Sequence, residues 1–133
     1  MGTEKIKIEI DVTKKRYELL EDLIVKFGLL LFVITKGFWT DFGSVPKIFW
    51  NIISPWDRQC LVAFITHDYL YFKGNVTREE ADDILYELIR AYGGGWFKAQ
   101  AIYRGVRAGG WVAWNEHRKR EREKASKQSG TSS

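Results

Sequence analysis

Three short segments carry the residue types that could do chemistry: Thr40-Asp41-Phe42-Gly43-Ser44-Val45-Pro46, His67-Asp68-Tyr69-Leu70-Tyr71 and Arg78-Glu79-Glu80-Ala81-Asp82. They hold one of the chain's two histidines and three candidate acidic partners, Asp41, Asp68 and Asp82. On a helix, Cys60, Phe64, His67, Asp68 and Tyr71 fall at spacings of four, three, one and three and share one stripe. The His-Asp dyad then points where the apolar side chains point. A carboxylate taken out of water needs a hydrogen-bonded partner, a cation or a proton. Asp68 also lies toward the C-terminal half of its helix, where the macrodipole disfavours an anion. Arg78 and Asp82, four apart, can face the dyad from a second, antiparallel helix. Two chemistries could follow: His67 as a general base oriented by Asp82, or His67 with Asp68 and Asp41 as metal ligands. The structural alternative is an Asp68–Arg78 ion pair and a hydrogen-bonded histidine that cement the helix pair. It is favoured because one histidine and scattered acids have no ligand spacing as specific as His-Glu-x-x-His.

Periodicity outlines the elements that must position these groups. Ile6, Ile8 and Ile10 alternate with Lys5, Lys7, Glu9 and Asp11, which predicts a half-buried strand. Tyr17 to Phe27 and Leu29 to Lys36, parted by Gly28, predict two more, so the N-terminal third reads as a small antiparallel sheet. Thr40-Asp41 suits a capping or Asx turn, and Pro46 fixes the backbone after it. Ser54-Pro55-Trp56-Asp57 is then a helix start, with the helix running to about Lys73 before Gly74-Asn75. Thr77-Arg78-Glu79-Glu80 is a capping box that opens a second helix, ended by Gly93-Gly94-Gly95. A third helix begins near Trp96 and reaches toward the tail, with Gly105, Gly109 and Gly110 as places for close packing or a kink. The expected fold class is α+β: a small N-terminal antiparallel sheet followed by three helices, the first two an antiparallel hairpin. Residues 1–115 form the single domain, and 116–133 a charged, then Gly/Ser-rich tail.

Composition narrows the function classes. A chain of 133 residues is one domain's worth, and 45% hydrophobic with 15% aromatic residues excludes a disordered protein. The lone Cys60 excludes an internal disulfide. Leu23 to Ile34 falls short of the about 20 residues a membrane-spanning helix needs, so no transmembrane segment is expected. Lys5 to Asp11 does not read as a signal peptide. Of the formal charge of +4, residues 116–133 supply +3, from six Lys or Arg less three Glu. The body is nearly neutral, and nucleic acid is not an expected partner. Arg118, Arg120 and Arg122 are instead the expected contacts to a neighbouring subunit, with His117 exposed beside them. Trp39, Phe42, Phe49, Trp50 and Trp56 are read as core around the Asp41 loop, and Trp111 and Trp114 as packing on the core.

Four features stand in order between Phe38 and Trp114: Thr40-Asp41-x-x-Ser44-x-Pro46, Trp50, His67-Asp68-x-x-Tyr71 with Arg78-x-x-Ala81-Asp82, and Tyr103-x-x-Val106-Arg107. This combination resembles the uncharacterised phage and prophage family catalogued as domain of unknown function 1353. Gly43 stands where that family more often has alanine. The resemblance implies a phage or prophage origin and no known reaction. His67, Asp68 and Tyr71, with Asp82 on an antiparallel helix, are also similar to the His-Asp-x-x-Tyr arrangement of secreted phospholipases A2, where the histidine activates water and the adjacent aspartate binds calcium. This chain lacks their disulfides and glycine-rich calcium loop. The leading expectation is a phage-encoded accessory protein of the virion, tail or baseplate associated, with no cofactor and with other phage structural proteins as partners. It would reside in the virion or the host cytoplasm, with Tyr71, Arg78 and Arg107 completing a structural His-Asp cluster. The alternative is a metal-dependent hydrolase acting on lipid or cell-wall bonds, with His67 as base, Asp82 as its orienter, and Asp68 and Asp41 binding calcium or zinc.

Overall fold

The computed structural model describes residues 8–11, 16–42, 44 and 57–131. Among these residues, five strands precede four helices: β1 (Ile8–Asp11), β2 (Arg16–Leu19), β3 (Leu23–Phe27), β4 (Leu30–Ile34), β5 (Trp39–Thr40), α1 (Arg58–Lys73), α2 (Arg78–Ala91), α3 (Trp96–Gly109) and α4 (Trp111–Thr131). The α+β class and the α1–α2 pair are as expected from the sequence, whereas the sheet and the last helix each divide in two. β1, β2 and β5 form one antiparallel sheet with β2 in the middle; β3 and β4 form another. Tyr17 to Phe27, expected as one strand, breaks at Leu20–Asp22. There the Asp22 carboxylate accepts the Lys36 N–H at 2.7 Å, while the Leu19 N–H donates to the Phe38 carbonyl at 2.9 Å. These bonds hold β2 to the segment entering β5 and send β3 away from it.

β3 and β4 join through Gly28-Leu29, and Gly28 supplies the positive φ of +57° at the first position of this two-residue turn. Period-two alternation buries Leu23, Val25 and Ile34 and leaves Ile24, Leu31 and Val33 facing out.

α1 is the central element. Every residue from Val62 to Asp68 is buried, because α2, α4 and β5 all pack around it. The Asp57 carbonyl accepts the Cys60 and Leu61 N–H groups at 2.8 and 2.9 Å. Its carboxylate holds Lys98 Nζ at 2.6 Å, tying the start of α1 to the start of α3. Ser54 to Trp56, read as the beginning of this helix, lie outside the described residues, as do Ile6, Gly43, Pro46, Phe49 and Trp50. Gly74 ends the helix at φ +66°, its N–H donating to the Leu70 carbonyl at 2.9 Å. The capping box is present on α2: the Glu80 N–H donates to Thr77 Oγ1, and the Thr77 N–H donates to the Glu80 carboxylate, both at 3.1 Å.

The third helix divides at Gly110. A Cβ there would lie 2.5 Å from both the Tyr71 hydroxyl and the Val106 carbonyl, so only glycine lets the α3–α4 junction seat on α1. Gly110→Ala should therefore cost about 1–3 kcal/mol, the range for forcing extra atoms into a packed site. Urea denaturation measures it, and an unchanged midpoint would mean that the junction moves freely.

α4 runs through the boundary expected at residue 115, and its first turns belong to the body. Trp114 packs edge-on against Tyr71 at 5.2 Å, whereas Trp111 is exposed rather than buried. His117, expected in solvent, is half-buried against the Phe72 ring at 5.9 Å. Arg118, expected to reach a partner, turns inward. It lies over the Trp114 ring at 4.5 Å and donates from one guanidinium nitrogen to the Tyr71 and Phe72 carbonyls at 2.7 and 2.9 Å. The last carbonyls of α1 lack helical donors and favour a cation, which explains the inward turn. Arg120 and Arg122 remain exposed. Among the described residues no helix is long and apolar enough to cross a membrane.

Candidate functional site

β5 delivers Thr40 to the core, and the chain then folds back on itself. Thr40 Oγ1 accepts the Phe42 N–H at 2.9 Å, while Phe42 adopts φ +58°, a conformation uncommon for a side-chain-bearing residue. The Phe42 ring is buried between Tyr17 and Phe64, at 5.3 and 6.2 Å, which holds the turn in place. Ser44 is thereby set over α1. The Asp68 carboxyl group meets the hydroxyls of Thr40 and Ser44 and accepts the Ser44 N–H at 3.3 Å. Asp68 thus does find hydrogen-bonded partners, but the expected Asp68–Arg78 ion pair does not form. Asp68 faces the β5 side of α1, and Arg78 approaches from the α2–α3 side.

On that opposite side stands Asp82, wholly buried. Its Oδ1 accepts from His67 Nε2 and from the Tyr71 hydroxyl, each at 2.6 Å. Its Oδ2 accepts from Arg107 at 2.8 Å, with Arg78 at 3.5 Å. Arg78 also donates to the carbonyls of Val106 and Arg107 at 3.0 and 3.3 Å, closing the C-terminal end of α3. His67 Nδ1, the other ring nitrogen, lies 2.8 Å from Ser44 Oγ. A continuous chain therefore crosses the core from Thr40 through Asp68, Ser44, His67 and Asp82 to Arg107. It joins β5, the turn after it, α1, α2 and α3.

The directions of the pKa shifts agree with one distribution of charge along this chain. Burial alone would raise the Asp82 pKa, but hydrogen bonds from His67, Tyr71 and Arg107 hold it below the ordinary carboxylate range. Asp82 is the anion, so His67 carries its proton on Nε2. Burial lowers the His67 pKa against the pull of Asp82, leaving the ring neutral and Nδ1 an acceptor for the single Ser44 hydroxyl proton. On that distribution the proton of the Ser44–Asp68 contact comes from Asp68. Burial pushes the Asp68 pKa well up, with the nearby Asp41 charge adding to it and backbone N–H groups of Ser44 and Phe42 opposing. Two protons, that of the Ser44 hydroxyl toward His67 Nδ1 and that of Asp68 toward Ser44 Oγ, then satisfy both contacts.

The structure thus brings together His67, Asp68, Tyr71, Arg78, Asp82 and Arg107, as the spacing and the resemblance suggest. Asp41 is exposed and bears on Asp68 through its charge. Among the described residues no three His, Cys, Asp or Glu side chains gather as a metal-ligand set. Sequence reasoning missed Thr40 and Ser44 as partners of the dyad. The available signal was Asp68 itself, a buried acid in need of donors, with two hydroxyls in the segment leading to its helix. Ser44 and Asp68 also reach the floor of a cleft of about 750 Å³ between Thr35–Asp41, α1 and α4. Tyr103, from the last motif, stays apart against the Tyr86 ring at 6.0 Å.

Neither a curated protein nor a solved structure matches the chain. The model of one protein family does match, over residues 17–106, a span that contains every member of the network except Arg107. On that match the chain belongs to the family of proteins of unknown function designated DUF1353.

Proposed function

We propose that this chain is a phage-encoded accessory protein of the virion, associated with the tail or baseplate, in which the His-Asp network is chiefly structural. One observation carries the structural reading: His67 and Asp82 have no exposed surface, and both imidazole nitrogens are occupied, by Asp82 and by Ser44. A histidine that activates water needs a free nitrogen with a path from solvent, and Ser44 Oγ stands where that water would bind. The exposed apolar side chains of Ile24, Leu29, Leu31 and Val33 on one hairpin support a protein that docks against others. The sequence resemblance supports the phage setting.

The rival is a hydrolase of lipid or cell-wall bonds, with His67 as base, Asp82 as orienter, and a divalent cation on Asp68 and Asp41. It draws less support, because Asp68 is engaged by hydroxyls and a backbone N–H. Mass spectrometry of purified particles, with light scattering of the isolated protein, tests the proposal. The protein should be found in particles or form assemblies. A strictly monomeric species absent from particles would overturn it.

A further inference from the structure

The cleft between the Thr35–Asp41 segment, α1 and α4 plays no part in the buried network's structural role, yet its volume of about 750 Å³ suits a small-molecule ligand. Its walls are aromatic. Phe38 packs on Tyr69 and Phe72 at 5.5 and 6.0 Å, and Trp39 and Phe72 each keep 45% of their surface exposed. Its polar groups carry both signs: Lys36, Lys73, Arg120 and Lys124 stand among the carboxyl groups of Asp41, Asp68, Glu116 and Glu121. With Asp68 protonated, four cations face three carboxylates and leave only a small net charge, so a polyanion such as nucleic acid gains little there. Such a mixture suits a ligand whose every polar group both donates and accepts, and whose remaining surface is C–H. Hydroxyl groups on a saturated ring meet both conditions.

We propose that this cleft is a saccharide-binding site, in which the exposed rings of Trp39 and Phe72 stack against sugar rings and the Asp41 carboxylate bonds their hydroxyls. The proposal is independent of virion association. Isothermal titration of the full chain with chitotetraose, cellotetraose and maltotetraose tests it, with inorganic phosphate as the anionic comparison. At least one tetrasaccharide should bind saturably, with phosphate neither binding in the cleft nor competing. Phe72→Ala and Asp41→Asn should each weaken binding at least about tenfold. Asp41 lies on the surface, so its variant keeps the test valid if Phe72→Ala fails to fold. Absence of saturable binding by all three sugars would overturn the proposal, as would undiminished binding in Asp41→Asn or displacement of the sugar by phosphate.

Discussion

Replacing Asp82 with alanine should cost the fold about 3–5 kcal/mol, the range for removing one partner from a buried charge network. The side chain accepts from His67, Tyr71 and Arg107 and pairs with Arg78. Its loss leaves the buried His67 Nε2–H and Tyr71 O–H without acceptors, and two arginines without their anion. Asp82→Asn keeps the shape and one acceptor oxygen but removes the charge, so an intermediate loss is expected. Urea denaturation of the three proteins measures both differences. A loss below about 1 kcal/mol for the alanine variant would mean that water replaces the carboxylate, and that the network contributes little to stability.

Asp68 should respond to alanine with a loss as well, but to asparagine in the opposite way. Asp68→Ala leaves the Thr40 hydroxyl and the Ser44 N–H without their acceptor, at about 1–3 kcal/mol for each group left unsatisfied. Asp68→Asn, in contrast, reproduces a protonated acid: its N–H can donate toward Ser44 and its carbonyl can accept from Thr40. The sign of the pH dependence follows from the raised pKa. Above about pH 3.8 the unfolded carboxyl group ionises while the folded one keeps its proton. Wild-type stability attributable to Asp68 is thus full below pH 3.8 and is lost as pH rises toward the folded value. Asparagine pays no such penalty. Relative to wild type, Asp68→Asn should gain about 1.4 kcal/mol per pH unit over that window. A difference that stays constant with pH would show that Asp68 is ionised in the folded protein.

Much of the scaffold was legible because local rules governed it. The Thr77–Glu80 capping box, the stop at Gly74 and the shared stripe of Cys60, Phe64, His67, Asp68 and Tyr71 all depend on neighbours within a few residues, and all are present. The His67–Asp82 contact was legible for the same reason, since a short connection forces α1 and α2 to be antiparallel. What spacing could not reveal was set by distant chain. Asp68 turns from Arg78 to Thr40 and Ser44 because β5 pairs with β2 and the turn at Phe42 brings both hydroxyls over α1. Arg118 reads as solvated from its charged neighbours, yet the open carbonyls at the end of α1 capture it. Gly110 was visible as a weak point in a helix, but the Tyr71 hydroxyl that makes glycine necessary is far away in sequence.

The most direct test is the protonation of His67, because the account requires a neutral, sealed ring that donates from Nε2 to Asp82 and accepts at Nδ1 from Ser44. Long-range ¹H–¹⁵N spectra of the two imidazoles report tautomer and charge separately for each ring. Through the ordinary imidazole range around pH 6.5, His67 should stay neutral with its proton on Nε2. His117 should take up a proton somewhat below that pH, held down first by its partial burial and then by Arg120 and Arg118. A His67 ring that gains a second proton near pH 6.5, or that shows its proton on Nδ1, would contradict the account and return the cluster to the list of working acid-base groups.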